Sequence, residues 1–280
     1  MSRKDYLSVL LSLLVKVSAC ITFSVLFFIV GFIFYKGIPH ISADLFAWEY
    51  NSDNVSLTPA LINTLLMVFL ALMLSVPVGV SAAVYLTEYA KKRSRLVEII
   101  RITTETLSGI PSIVYGLFGF LFFVTVLKWG ISLISGVFTV SIMVLPLIMR
   151  TTEEALKAVP ELYREGSYGL GAGKFRTVFS IIIPAAFPGI LSGIILAVGR
   201  IVGETAALIY TSGTVAEIPS GKDFLFDSAR TLSLHMYTLS SEGLYTNQAY
   251  ATAAVLLVIV LLINRLSEKL AKRIMKGNGK

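Results

Sequence analysis

The chain has 280 residues, 55% of them hydrophobic, with a mean hydropathy of +0.79 and a formal net charge of +7. That apolar content excludes an ordinary soluble domain and points to an all-α integral membrane protein. The apolar stretches are continuous, which excludes a β-barrel, whose strands alternate over about 10 residues.

In chain order, the first predicted membrane span is Val17–Tyr35, close to the length of about 20 residues that a bilayer requires. Within it, Val17-Ser18-Ala19-Cys20 loosely resembles a lipoprotein processing site. Lys16, however, interrupts the apolar run before the cysteine, and no polar tether follows. The segment therefore reads as an uncleaved span and not as a signal peptide. Cys20 is the only cysteine, so no intramolecular disulfide forms.

A polar connection, Lys36–Thr58, rich in Asp, Asn and Ser, leads to Ser56-Leu57-Thr58-Pro59. That tetrapeptide predicts a helix start with Thr58 as N-cap and Pro59 at the first helical position. Further spans are predicted at Leu61–Tyr85, Leu107–Leu127, Ile131–Met149, Phe187–Tyr210 and about Gln248–Leu266, making six in all. Gly79, Gly109, Gly116, Gly119, Gly193, Gly199 and Gly203 recur inside them and read as positions of close helix packing. In the connection Thr211–Gln248, residues Asp227–Leu239 read as an amphipathic helix. It would lie on the outer membrane surface or offer a docking surface to an external partner. The chain thus divides into an N-terminal span with its external connection (1–56), a five-helix core with a loop at 150–177 (57–266) and a basic tail (267–280).

The placement of charge sets the topology. Arg3, Lys4 and Lys16 lie at the start, Lys91, Lys92, Arg93, Arg95 and Arg101 between spans two and three, and Arg150, Lys157, Arg164, Lys174 and Arg176 between four and five. The tail is basic too, whereas the other connections hold only Lys36, Lys128, Lys222 and Arg230. Basic short loops face the cytoplasm, so both termini are expected there. The basic excess reports topology and gives no reason to expect nucleic acid as a partner.

The fifth span contains Arg200 and Glu204, its only charges. A charge deep in hydrocarbon costs roughly 2.5–3.5 kcal/mol on insertion scales, so it is seldom present without a use. Four residues apart on a continuous helix, the two would share a face and neutralise each other. A guanidinium stays charged when partly desolvated and presents two parallel donors to an oxyanion. An adjacent carboxylate would neutralise the empty site and compete for those donors.

Between spans four and five, Glu153 to Gly171 reads as two short helices broken at Pro160 and at a glycine cluster, continuing to Ile181-Ile182-Ile183-Pro184. Such a segment suits a lever that a soluble partner can push. Its spacing, Glu165-Gly166-Ser167, then Gly171, then Ile181, Ile183 and Pro184, resembles the loop by which ABC importer permeases engage their ATPases. Gly166 and Ser167 stand where that pattern has alanines, and Ile183 where it has leucine. Two further segments narrow the resemblance: Ser108-Gly109-Ile110-Pro111-Ser112-Ile113-Val114-Tyr115-Gly116 and Gly199-Arg200-Ile201-Val202-Gly203-Glu204-Thr205-Ala206. With the loop, they make the chain similar to the permeases of phosphate-specific ABC importers.

The resemblance implies a type I ABC importer permease fold in a prokaryotic inner membrane. It implies Glu165 and Gly171 at a contact with an ATPase, and Arg200, Glu204 and Thr205 along the anion path. The implied partners are a second, related permease, two ATPase subunits, an external phosphate-binding protein and membrane lipid. The chain itself is expected to be no enzyme and to hold no cofactor, ATP and Mg being bound by the ATPase. An importer of sulfate, molybdate or phosphonate is the neighbouring alternative. An ion-coupled secondary carrier is the alternative of another class, disfavoured because such carriers usually have more spans, with broken helices at the site.

Other motifs lead nowhere. Gly169-Leu170-Gly171-Ala172-Gly173-Lys174 lacks the spacing and the Ser or Thr of a P-loop. His40 and His235 are too far apart in sequence to suggest a metal site without other ligands. Ser112 has no histidine base nearby in sequence and reads as a packing or cap residue.

Overall fold

The computed structural model describes residues 3–91 and 94–277, which leaves Lys92 and Arg93 of the basic connection and the last residues of the tail outside the described residues. Its helices are α1 (Arg3–Gly37), α2 (Thr58–Val84), α3 (Arg95–Ser108), α4 (Ser112–Gly119), α5 (Leu133–Lys157), α6 (Glu161–Gly169), α7 (Lys174–Thr177), α8 (Ile183–Val202), α9 (Ala206–Thr211), α10 (Leu232–Glu242) and α11 (Thr246–Gly277). Wide π turns continue three of them: Tyr85–Tyr89 after α2, Phe120–Val126 after α4, and Val178–Ile182 between α7 and α8. Five stretches are long and apolar enough to cross a membrane, and a bent pair, α3 with α4 and its π turn, supplies a sixth.

At the centre stands α5, packed against α2, α8, α4 and α9. Its sequence explains the position. Ser135, Gly136, Thr139 and Ser141 give it a narrow buried face, and small residues let membrane helices approach closely. The hydroxyls of Thr139 and Ser141 bond back to Ser135 and Val137 carbonyls. Ser141 also reaches the Ala71 carbonyl of α2 at 3.2 Å. Around these contacts Met67, Val140, Met143, Val144, Ile148, Ile201 and Leu208 form a core from which solvent is excluded. A second core, Val84, Leu156, Val178, Ile182 and Ile190, closes the end that carries α6. By contrast α1 packs mainly on α11, Phe32 meeting Tyr250 edge-on at 5.9 Å.

Several expectations are corrected. The start of α2 comes one residue early, with Leu57 at the N-cap and Thr58 already helical, while Ser56 Oγ accepts from the Thr58 amide at 3.3 Å. The last span ends at Leu266 as expected, but its helix, α11, runs on to Gly277. The third span is not straight: Gly109-Ile110-Pro111 breaks it and the two halves meet at 104°. The proline explains the break, since it disfavours helical backbone in the residue before it. Nor is the fifth span continuous, since it stops at Val202 and resumes at Ala206.

The predicted amphipathic helix does not lie on a surface. α10 begins at Leu232 and is buried at Leu232, Ser233, Leu234, His235 and Leu239, against α11 and α2. Its polar residues find partners inside. Thr64 Oγ1 accepts from the Leu232 amide at 2.8 Å, and Ser233 Oγ donates to the Glu204 carbonyl at 2.6 Å.

Candidate functional site

The two helix breaks lie against each other. At Gly116 of α4, a Cβ would sit 2.7 Å from Ala207 Cα, so the α4 backbone rests directly on α9. One turn on, a Cβ at Gly119 would sit 2.8 Å from Thr211 Cγ2. The sequence segments around Pro111 and around Glu204, far apart in the chain, thus form one junction. Tyr115 stitches the bend by donating its hydroxyl to the Leu107 carbonyl at 2.7 Å. Overpacking such a contact costs about 1–3 kcal/mol, so Gly116→Val is expected to lower the thermal unfolding temperature of the purified protein. Gly203→Ala, whose Cβ would meet no atom closer than 3.6 Å, is expected to leave it unchanged.

Glycines expected to serve packing divide in the same way. Gly79, Gly116, Gly119 and Gly193 are in tight contact, whereas Gly109, Gly199 and Gly203 have room for a methyl group. Those three flank the two breaks.

Arg200 lies in the last turn of α8, half-buried. It does not pair with Glu204: among the described residues it has neither an ion pair nor a hydrogen bond. Glu204, buried in the break, instead accepts from the Ala207 amide through Oε1 at 3.0 Å and so caps α9. The expected i,i+4 neutralisation fails because Gly203 ends the helix between the two residues. Thr205, half-buried, is the N-cap residue of α9 but makes no side-chain cap bond. What remains is a free guanidinium beside a carboxylate committed to the backbone.

Ser108, Gly109, Pro111 and Ser112 build the other half of the junction. Ser108 Oγ donates to Glu105 O at 2.7 Å, Gly109 caps α3, Pro111 is the N-cap of α4 and Ser112 its first residue.

At the end away from α6, Arg230 and His235 form a buried pair. Arg230 donates from Nε to Thr214 O at 2.5 Å and lies over the Tyr50 ring, 5.4 Å from its centre. Its Nη1 is 3.4 Å from His235 Nδ1. Arginine can only donate, so Nδ1 accepts and the imidazole proton is on Nε2. Burial, then the Arg230 charge, lowers the His235 pKa to about 4. Between about pH 6.5 and 4 the unfolded chain therefore binds a proton that the folded chain refuses. Stability is full above that window and falls as pH drops through it. His235→Leu is expected to flatten this acid limb of the unfolding temperature measured in detergent.

The short helix predicted between Pro160 and the glycine cluster is present as α6, and the structure adds what anchors it. Glu165 and Gly166 are exposed on α6, with Leu162 76% exposed and Leu170 91% exposed nearby. Ser167 is buried and bonds Thr177 Oγ1 of α7 at 2.8 Å. Gly171 adopts φ +81, a left-handed turn that disfavours a side chain. Pro184 is the second residue of α8 and follows directly on the π turn Val178–Ile182.

Sequence reasoning missed Arg164 as more than a topology signal, and missed Glu88 altogether. Arg164 Nη2 contacts Glu88 Oε1 at 2.6 Å and the Leu156 carbonyl at 3.0 Å, while Nη1 reaches Val159 O and Glu161. The hydrogen bond to Glu88 is the main cause holding Arg164 charged more firmly than a free arginine. This clamp ties α6 to the end of α2. A glutamate in the wide turn after an apolar span was the only available signal.

Known proteins sharpen the reading. Residues 75–276 match the family model of the binding-protein-dependent transport system inner membrane component. A probable ABC transporter permease, YqgI of Bacillus subtilis, is 34% identical over 77% of this chain and 78% of its own length. The phosphate transport system permease protein PstA of Yersinia pestis is 34% identical over 83% and 79%. PstA 1 of Mycobacterium tuberculosis is 35% identical over 73% and 67%. Among solved structures, a bacterial ABC transporter that imports alginate superposes with a TM-score of 0.68 over 97% of this chain and 98% of that one, at 16% identity. The MetNI methionine ABC transporter gives 0.62 over 77% and 93%, at 19%. The fold is that of type I ABC importer permeases, with several spans in a prokaryotic inner membrane. The chain belongs to the family of binding-protein-dependent transport system inner membrane components, the permeases of ABC importers.

Proposed function

We propose that this chain is one of two permease subunits of an ATP-driven phosphate importer, with Arg200 as the group that the anion meets on its way through. The observation that carries this reading is a half-buried guanidinium, unpaired among the described residues, where two broken helices meet. An uncompensated cation in an apolar core is expensive, and an anion in passage would offset the cost. Phosphate as that anion is supported by the PstA relatives, all near 34% identity. Glu204, by capping α9, would keep the break open and leave Arg200 to the substrate. A second permease would complete the path, an external binding protein would deliver the anion, and ATPases would grip α6 at Glu165 and Gly171, on the cytoplasmic side.

The test is uptake of labelled phosphate by proteoliposomes holding the complete complex, with sulfate, molybdate and phosphonate as competitors. ATP-dependent uptake outcompeted by unlabelled phosphate alone is expected. Preference for another oxyanion would reassign the substrate, and uptake abolished by an ionophore without ATP would indicate a gradient-driven carrier. Gly171→Asp is expected to leave ATP hydrolysis running while uptake falls about tenfold or more, because a side chain in that turn adds about 1 kcal/mol of strain or more at the ATPase contact.

A further inference from the structure

On the side of α6 that faces the protein lies a cavity of about 580 Å³. It falls within the usual size range of small-molecule sites. Its walls carry four cations, Arg101, Lys157, Arg164 and Lys174, against two carboxylates, Glu88 and Glu161. Glu88 is committed to Arg164, and the Glu161 side chain is 72% exposed.

The remaining cations are under-neutralised. Arg101 and Lys157 share a single carboxylate, Glu153, at 2.5 and 2.7 Å. Lys174 has no carboxylate partner among the described residues, and its ammonium lies 5.1 Å above the Tyr89 ring. Thr87 supplies an independent sign. Thr87 is one of the residues lining the same cavity, and its buried Oγ1 has no hydrogen-bond partner among the described residues. Thr64, Thr139 and Thr211, in regular helix, all donate to the carbonyl four residues back. Thr87 sits in the π turn Tyr85–Tyr89 and does not. Such turns occur frequently at functional sites, and a buried hydroxyl left without a partner costs about 1–3 kcal/mol.

We propose that this cavity is an anion site, separate from the Arg200 junction, that takes a phosphoryl group. Ammonium and guanidinium donors with one hydroxyl suit a tetrahedral oxyanion, and the free donor of Thr87 would be satisfied by it. The group is inorganic phosphate or the headgroup of an anionic phospholipid, which present the same oxygens. Arg101 belongs to α3, Lys157 to α5 and Lys174 to α7, so an occupant braces the loop against two other helices. The proposal does not depend on what the junction transports.

Equilibrium binding of labelled inorganic phosphate to the assembled complex, free of nucleotide and external binding protein, tests it. The complex carries Arg200→Gln, which removes the proposed transport contact, and is held in phosphatidylcholine nanodiscs. Saturable binding is expected to persist in that background. It should weaken about tenfold with Thr87→Val, and again with Lys174→Gln, as one such hydrogen bond is lost each time. Thr87→Ser, which keeps the hydroxyl, should bind like the parent, and unchanged thermal unfolding would show that the variants are folded. Binding suppressed by phosphatidylglycerol nanodiscs would identify the lipid headgroup as occupant of the same site. No saturable binding in phosphatidylcholine, or binding indifferent to Thr87 and Lys174, would overturn the site. Persistent binding together with undiminished uptake by Arg200→Gln would leave the site standing and remove the transport role of Arg200.

Discussion

Arg200→Gln is expected to reduce phosphate uptake to background while the complex assembles with normal stoichiometry. Glutamine keeps much of the length and one amide donor but loses the charge and the paired donors of the guanidinium. Hydrogen bonds to charged groups contribute about 1.5–3 kcal/mol each, so losing two predicts a fall of roughly a hundredfold or more. Assembly should survive because Arg200 holds nothing together, having no bonded partner among the described residues. Arg200→Lys separates charge from geometry. It is expected to retain a small fraction of uptake, since an ammonium attracts the anion but cannot present two parallel donors. Labelled-phosphate uptake, with co-purification of the partner subunits as control, measures both. Normal uptake by Arg200→Gln would remove the residue from the mechanism.

What the sequence disclosed and what it hid follow from the range of each interaction. Arg200 was legible because its cost is local: a charge inside an apolar stretch needs no knowledge of its neighbours. The short helix α6 was legible because Pro160 and the glycines near 171 punctuate the backbone directly. Hydropathy averaging concealed the breaks. Gly109-Ile110-Pro111 adds no charge, so the span from Leu107 looks continuous although Pro111 marks its limit. Gly203 gave less warning still, because glycine inside a membrane helix usually signals packing. Reading that helix as unbroken turned Glu204 into a partner for Arg200 when it is a cap for α9. Broken helices at the site also weaken one argument against a secondary carrier, since such carriers use them too. The family match over residues 75–276 separates the two classes instead. The burial of α10 was beyond reach for another reason. Its Ser, Thr and His residues signal a wet surface until their partners, Glu204 and Arg230, are brought beside them by the fold.

The contact least visible in the sequence carries the second large prediction. Arg164 and Glu88 are 76 residues apart, and their side chains are 11% and 6% exposed. Removing one member of a buried pair strands the other charge, at about 3–5 kcal/mol, whereas replacing both by apolar groups is often neutral. Arg164→Met alone is therefore expected to lower the unfolding temperature sharply, and Glu88→Leu to do the same, while the double variant recovers most of the loss. Transport should not recover with it. α6 is held to the end of α2 by this pair, and to the end of α5 by Arg164 bonds to the Leu156 and Val159 carbonyls. A methionine–leucine contact restores packing without that directional grip. The double variant should therefore assemble and hydrolyse ATP but deliver little phosphate for each ATP spent. A clamp serving stability alone would give the opposite result, with uptake returning in step with the unfolding temperature. Measuring the two across the four proteins of the cycle decides whether Arg164 and Glu88 transmit force from α6 into α2 or only fasten it there.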